Sequence, residues 1–166
     1  MPIALLLVFM AALLTQPVFL RAQAPLPPQP PPPGAAAGLD YEYFKTKVQP
    51  IFLAKREGHS RCASCHTHGT PMRLQELAPG AATWSEEQSK RNFQVVAARV
   101  TPRSLSQSKL LLHPLLTDAG GTFYHSGGKH WDSFLNPEWQ VLANWVCGRK
   151  ATEKITELTG SCGGEE

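Results

Sequence analysis

The chain has 166 residues, of which 17% are charged and 42% hydrophobic, and its formal net charge is +3 at pH 7. This length suffices for one domain with a single hydrophobic core, and the sequence contains no internal repeat. Because the net charge is small and no basic run is interleaved with aromatic residues, the composition argues against a nucleic-acid-binding protein.

The chain begins with an apolar segment, Ile3–Leu14, which reads IALLLVFMAALL. Its length suits the hydrophobic region of a signal peptide and falls short of the ~20 residues that cross a bilayer as a helix. Residues 22–24 read AQA, which is the spacing of small residues at a cleavage site. We therefore expect residues 1–24 to be a signal peptide and the protein to be periplasmic or otherwise exported. Membrane attachment is expected only if this segment stays uncleaved.

Residues 25–38 read PLPPQPPPPGAAAG and form the next unit. Proline at this density favours an extended polyproline conformation over a helix or a strand. We interpret the segment as a semi-rigid linker, which leaves residues 39–166 as one folded domain with a C-terminal tail.

The first helix is predicted within DYEYFKTKVQPIFLAK, with Asp40 as its N-cap. Pro50 lacks a backbone donor, so the helix is expected to kink or pause before Ile51. The apolar residues at helical spacing are Tyr41, Phe44, Val48 and Phe52.

A second helix is predicted within TWSEEQSKRNFQVVAARV, where Thr83 and Glu86 have the spacing of a capping box. Pro102 is expected to end it. Its apolar stripe comprises Phe93, Val96 and Val100.

The last predicted helix, NPEWQVLANWVCG, has Asn136 as cap, Pro137 at its first position and Gly148 after its end. Its apolar face comprises Trp139, Leu142, Trp145 and Val146. No stretch alternates apolar and polar residues as a half-buried strand would. The domain is therefore predicted to be all-α.

The pentad CASCH, Cys62 to His66, lies between the first two helices. C-x-x-C-H is the attachment sequence of c-type haem, in which each thiol adds to a vinyl group and the histidine coordinates iron. Two cysteines three residues apart can reach the two vinyl groups, and the tether brings the adjacent histidine under the iron. The motif predicts covalent haem c held by Cys62 and Cys65, with His66 as the proximal iron ligand.

Three other interpretations of the pentad exist. C-x-x-C is also half of a zinc site, and His68 could add a third ligand. However, Cys147 and Cys162 are fifteen residues apart and do not form a second C-x-x-C, and an exported chain is a poor place for zinc-binding thiolates. A thioredoxin-like redox pair lacks the expected βαβ surroundings, and a disulfide within the pentad leaves its histidine unexplained.

Five segments together resemble a monohaem class I cytochrome c domain, and in detail the planctomycete-type cytochrome c domains. They read YFKTKVQPIF, CASCH, SKLLLHPL, GGTFYHSGGKHW and PEWQVLANWVCG, and they cover about residues 41–148. The resemblance implies a class I cytochrome c-like fold, with helices around one covalently attached haem. It also implies that the first and last helices cross at near right angles, with Phe44 and Trp145 at their contact.

The distal iron ligand departs from this family's pattern. Class I domains usually supply a methionine from a loop shortly before the last helix, and this chain has no methionine after Met72. The corresponding segment, FYHSGGKHW, offers His125 and His130 instead, and Gly127 and Gly128 would let its backbone approach the haem closely. We expect His125 as the distal ligand, with His130 as the second choice and Met72 as the third.

The two cysteines outside the pentad, Cys147 and Cys162, are expected to form a disulfide in an oxidising compartment. The alternative is that they are free or pair with another chain. The disulfide would close a short loop and tie the tail back to the last helix, which stabilises the fold by ~3 kcal/mol in the loop-entropy picture.

The function that the sequence favours is one-electron transfer between redox partners, by an electron carrier that is not an enzyme. The alternative is a haem enzyme, or a sensor of gas or peroxide, with an open distal position. Lysine and arginine residues gather near the pentad and are either solvated surface or a docking face for an acidic redox partner. They are Lys55, Arg56, Arg61 and Arg73.

Overall fold

The computed structural model describes residues 38–158 and Cys162. The expected signal peptide, and the linker up to residue 37, lie outside the described residues. Within them the chain is helical, and extended pairing is limited to isolated β-bridges, in agreement with the all-α prediction. No helix in this part of the chain has both the length and the apolar character needed to cross a membrane.

The first helical segment runs from Tyr41 to Leu53 in three consecutive pieces. They are α1 (Tyr41–Tyr43), a π-helical turn (Phe44–Val48) and α2 (Gln49–Leu53). The Asp40 carboxylate caps the start by accepting from the Tyr43 amide at 2.8 Å, as predicted. The expectation was a kink or a pause before Ile51, and the pause is wrong, because the helix continues past Pro50. The wider π-helical turn ends at Val48, two residues before this proline, whose missing N–H and ring disfavour ordinary α-helical bonding in the preceding turn.

Helix α4 spans Glu86–Ala97 and begins two residues later than the sequence suggested. Its N-cap is Ser85, and the capping box is formed with Gln88, so the prediction of Thr83 and Glu86 was wrong. The preceding residue, Trp84, is buried and donates its indole N–H to the Gln75 carbonyl at 2.7 Å. Ser85 itself has an extended backbone, with φ −64° and ψ 166°, and the helix begins directly after it.

Helix α6 spans Pro137–Cys147 with Asn136 as N-cap, and Gly148 follows in the left-handed conformation, as predicted. Its predicted apolar face is buried throughout. Phe44 and Trp145 are in contact, with ring centres 5.4 Å apart, which joins the first helical segment to the last. The largest fully buried side chains of the core are Trp139, Trp145, Phe44, Leu74, Leu105, Leu111, Leu115 and Leu142.

Three short helices complete the domain: α3 (Cys62–His66), α5 (Lys109–Leu112) and a 3-10 turn (Thr117–Ala119). The loop 122–131, between this turn and α6, is bound back to the chain after α5. The Leu116 amide donates to the Trp131 carbonyl at 2.8 Å, and the His130 amide donates to the Pro114 carbonyl at 2.8 Å. These bonds hold the loop beside α3.

Cys147 and Cys162 form a disulfide with their Cα atoms 5.3 Å apart, which is the pairing expected from the sequence. The Cys162 amide also donates to the Arg103 carbonyl at 3.1 Å, and the Arg103 amide donates to the Val146 carbonyl at 2.9 Å. The tail, the end of α6 and the turn after α4 are therefore joined at one point.

Candidate functional site

A cavity of about 400 Å³ lies between α3 and the loop 122–131, a volume within the range typical of cofactor and small-molecule sites. The fold brings to this cavity every residue that the sequence proposed for the cofactor. They are Cys62, Cys65, His66, His125, His130 and Met72. These residues are spread over a long stretch of sequence, so their meeting here is a property of the fold.

The pentad forms one turn of helix, α3, which explains why Cys62, Cys65 and His66 all line the same wall of the cavity. Residues three and four positions apart lie on the same face of a helix, so Cys65 and His66 both lie beside Cys62. Cys62 is half-buried and Cys65 exposed, and both are free thiols. The disulfide within the pentad, one of the alternatives above, is therefore not formed.

The imidazole of His66 is oriented by its Nδ1 atom. Nδ1 lies 3.0 Å from the Met72 carbonyl oxygen and 3.0 Å from the Thr70 hydroxyl. A carbonyl oxygen only accepts, so Nδ1 carries the hydrogen and Nε2 of the neutral ring keeps its lone pair. Burial lowers the pKa of His66, which favours this neutral form. Such an imidazole is ready to bind a metal through Nε2.

His125, which also lines the cavity, has the same arrangement. Its Nδ1 lies 2.6 Å from the Gly128 carbonyl oxygen, which again leaves Nε2 as the lone-pair nitrogen. The ring centres of His66 and His125 are 6.3 Å apart, and their planes are inclined by 19°. Two imidazoles on one metal ion, with metal–nitrogen bonds of about 2 Å, place their ring centres about 6 Å apart. The observed distance between the ring centres is therefore close to that of two imidazoles bound to one metal ion.

The two glycines of this loop have different roles. A Cβ atom on Gly127 would lie 3.2 Å from Cε1 of the His125 ring, so the absence of a side chain lets the ring rest against the backbone. Gly128 has φ +80°, a left-handed conformation that favours glycine and turns its carbonyl oxygen toward the imidazole. Both glycines thus serve the placement of His125.

The two lower-ranked candidates for the distal ligand are placed differently. The ring of His130 lies 4.9 Å from that of His59 and 6.0 Å from that of His125. Its buried Nδ1 has no hydrogen-bond partner among the described residues, and its pKa is lowered to about 4, chiefly by burial. Met72 lines the cavity, but its carbonyl oxygen orients His66, so its backbone is fixed beside the His66 ring.

One residue of the proposed docking face lies elsewhere than expected. The Arg56 side chain is only 12% exposed and forms an ion pair with Glu138 at 2.6 Å, so it does not belong to the exposed basic surface. Lys55, Arg61 and Arg73 are exposed, as a docking face requires. Sequence spacing gave no signal for the Arg56 pair, because its partner lies on the last helix.

The cavity also has a cationic part that the sequence analysis did not identify. Arg99 and Lys109 line it, and no Asp or Glu lines it in the described part of the chain. The Arg99 Nη2 donates to the Pro71 carbonyl at 3.0 Å, while its buried Nε has no hydrogen-bond partner among the described residues. A buried donor without an acceptor is costly, so this position suits an anionic group of a bound molecule.

The second half of a four-cysteine zinc site is removed by the fold. Cys147 and Cys162 are bonded to each other and therefore offer no thiolates to the pentad.

No protein family, curated protein or solved structure matches the chain.

Proposed function

We propose that this domain is a class I-type cytochrome c that carries one covalently attached haem and transfers single electrons between exported redox partners. The observation that carries the proposal is the pairing of His66 and His125 at 6.3 Å in the cavity that Cys62 and Cys65 also line. Both imidazoles are held through Nδ1 by backbone carbonyl oxygens, which leaves Nε2 of each ring as the nitrogen with the lone pair.

The residues of the cavity fit haem c in three respects. Two free thiols stand on one wall at the spacing of the attachment motif. The imidazoles of His66 and His125, with ring centres 6.3 Å apart, would be the ligands of the iron. Arg99, with its unpartnered Nε, and Lys109 offer positive charge to the carboxylates of the propionate groups.

When bound, haem supplies the redox chemistry, because its iron alternates between the ferric and ferrous states. The chain's own contribution is a preorganised site. The backbone bonds to the two imidazoles keep both rings in place whatever the charge of the site, which limits reorganisation during electron transfer. The half-buried position of Cys62 and the exposed position of Cys65 place one edge of the site near solvent.

The exposed basic residues near the pentad support an acidic redox partner. Lys55, Arg61 and Arg73 are exposed, and Arg61 lines the cavity. Positive charge around this opening would steer an acidic protein toward it and raise its association rate at low salt. The alternative, a haem enzyme or sensor, requires an open distal position, which His125 would fill in this proposal.

The test is production in a host that attaches haem to exported proteins, followed by acid–acetone extraction and a visible spectrum. We expect a c-type spectrum with haem retained in the protein fraction. The double variant Cys62→Ala, Cys65→Ala should retain none, while Cys147→Ser, Cys162→Ser, which loses the same number of cysteines elsewhere, should retain it. Complete extraction of haem from the unaltered protein would overturn the proposal.

A further inference from the structure

The guanidinium group of Arg56 touches one of the two attachment cysteines. Its Nη1 lies 3.7 Å from the Cys62 sulfur, within the range of a hydrogen bond to sulfur. Its Nη2 donates to the Ile51 carbonyl at 2.9 Å, and its Nε donates to a Glu138 carboxylate oxygen at 2.6 Å. All three nitrogens of this side chain are therefore engaged, each with a different element of the fold.

Arg56 is held in this position by residues near the start of α6. The Glu138 oxygen that accepts from Arg56 also accepts from the Trp131 indole N–H at 3.1 Å. The guanidinium carbon lies 5.6 Å from the centre of the Trp131 ring, a cation–π contact. Glu138 lies in the first turn of α6, where the helix dipole favours a negative charge. The side chain of Arg56 thus has little freedom to leave the Cys62 sulfur.

The two cysteines of the pentad are therefore not equivalent. Cys62 is half-buried and contacts Arg56, whereas Cys65 is exposed. Burial raises the pKa of the Cys62 thiol, and the positive charge and hydrogen bond of Arg56 act in the opposite direction. Of the two thiols, Cys62 is the one whose placement depends on a neighbouring side chain.

We propose that Arg56 is a positioning residue for Cys62, holding its sulfur at the cavity wall so that both cysteines become attached to the cofactor. The inference rests on the proposed function. In the attachment a sulfur–carbon bond forms, the vinyl double bond becomes single, and the thiol hydrogen is transferred to the other vinyl carbon. The addition is redox-neutral, so it consumes neither an oxidant nor a reductant.

The test compares Arg56→Met and Arg56→Lys with the unaltered protein after haem attachment in the same host. Peptide mass spectrometry measures the share of haem held through both cysteines and the share held through Cys65 alone. For Arg56→Met we expect the singly attached share to rise roughly tenfold, as loss of one hydrogen bond from a charged donor predicts. A red shift of the alkaline pyridine spectrum, which reports a vinyl group left unreacted, should accompany it. Arg56→Lys keeps the charge but not the three-way contact and should give an intermediate share.

Two further variants separate positioning from a purely structural role. Glu138→Gln removes the charge that holds Arg56 but keeps an acceptor oxygen for it, so the singly attached share should rise, but less than in Arg56→Met. Arg91→Gln breaks an exposed arginine–glutamate pair on α4, at 3.0 Å, and should leave attachment unchanged. Equal double attachment in either folded Arg56 variant would overturn the inference. Absence of covalent haem from the unaltered protein would instead overturn the proposed function.

Discussion

The imidazole rings of His66 and His125 lie in the same cavity, with their centres 6.3 Å apart and their planes inclined by 19°. His66 follows Cys65 at the end of α3, and His125 lies on a loop held back against the residues after α5. The two rings are oriented in the same way, each through Nδ1 to a backbone carbonyl oxygen. Because the two rings are held alike, His125 is the distal ligand that we propose, and it can be tested against its neighbour His130.

Replacing His125 by alanine should convert the ferric haem protein from low spin to high spin, because one axial nitrogen is lost. His130→Ala should stay low-spin, since the His130 ring is placed nearer to His59 than to His125. Low-temperature electron spin resonance distinguishes the two states, and the exposed His68→Ala serves as the matched control. The reverse outcome, with His130→Ala high-spin and His125→Ala unchanged, would assign the ligand to His130.

Carbon monoxide should bind the reduced protein slowly or incompletely, because a distal imidazole must first leave the iron. His125→Ala should bind it fast and completely, since the position is then open. Stopped-flow absorbance after mixing with the gas measures both rates. Equally fast binding by the unaltered protein would support the alternative function, a haem enzyme or sensor.

The protein without haem should lose stability as the pH falls. The pKa of His130 is lowered from 6.5 to about 4, with burial as the largest cause, so the folded state binds a proton less readily than the unfolded state. The free energy of unfolding should therefore be highest above about pH 6.5 and fall between pH 6.5 and about 4. Urea unfolding of Cys62→Ala, Cys65→Ala measures this slope, and adding His130→Gln should make it shallower. An unchanged slope would contradict the assignment to His130.

The contact between Phe44 and Trp145 should dominate the stability of the helical core. Phe44 is fully buried, and truncation of such a residue to alanine typically lowers the free energy of unfolding by about 3–5 kcal/mol. Phe123, which is 90% exposed, is the matched control, and its replacement by alanine should change stability by no more than about 0.5 kcal/mol. Urea unfolding followed by tryptophan fluorescence measures both. Similar effects of the two variants would contradict the packing seen here.

The disulfide between Cys147 and Cys162 should stabilise the domain by about 3 kcal/mol, as expected for a loop of this length. Cys162→Ser should show this loss in chemical unfolding while covalent haem is retained at the pentad. A reductant should produce the same loss in the unaltered protein and none in the variant. If Cys162 reacts with an alkylating reagent in the native protein, the pairing is wrong.

The sequence predicted α6 to the residue because its end signals are local. A cap, a proline at the first position and a glycine after the end act within one turn of helix, and no other residues compete for these roles. The start of α4 was mispredicted because two capping boxes overlap there. The choice of Ser85 over Thr83 depends on the burial of Trp84 and its bond to Gln75, which local spacing does not contain.

The candidate site likewise contains residues that local sequence reveals and residues that it does not. The pentad and the histidine loop were found from sequence because each is a short motif of neighbouring residues. Arg56 and Glu138, 82 residues apart, were missed, and Arg56 was assigned to the surface, because a cation near a motif is ordinarily solvated. Arg99 carries no signal until the fold shows that its Nε is buried without an acceptor among the described residues.

The junction of Cys162, Arg103 and the end of α6 has a consequence for the order in which the domain matures. Cys162 is synthesised after every helix described here, so the junction closes only once the whole helical set has emerged. Until a compartment supplies the oxidant, the end of α6 is held by noncovalent contacts alone. The disulfide therefore forms only after the chain has reached an oxidising environment. The domain with the disulfide should resist proteolysis better than the same domain kept reduced.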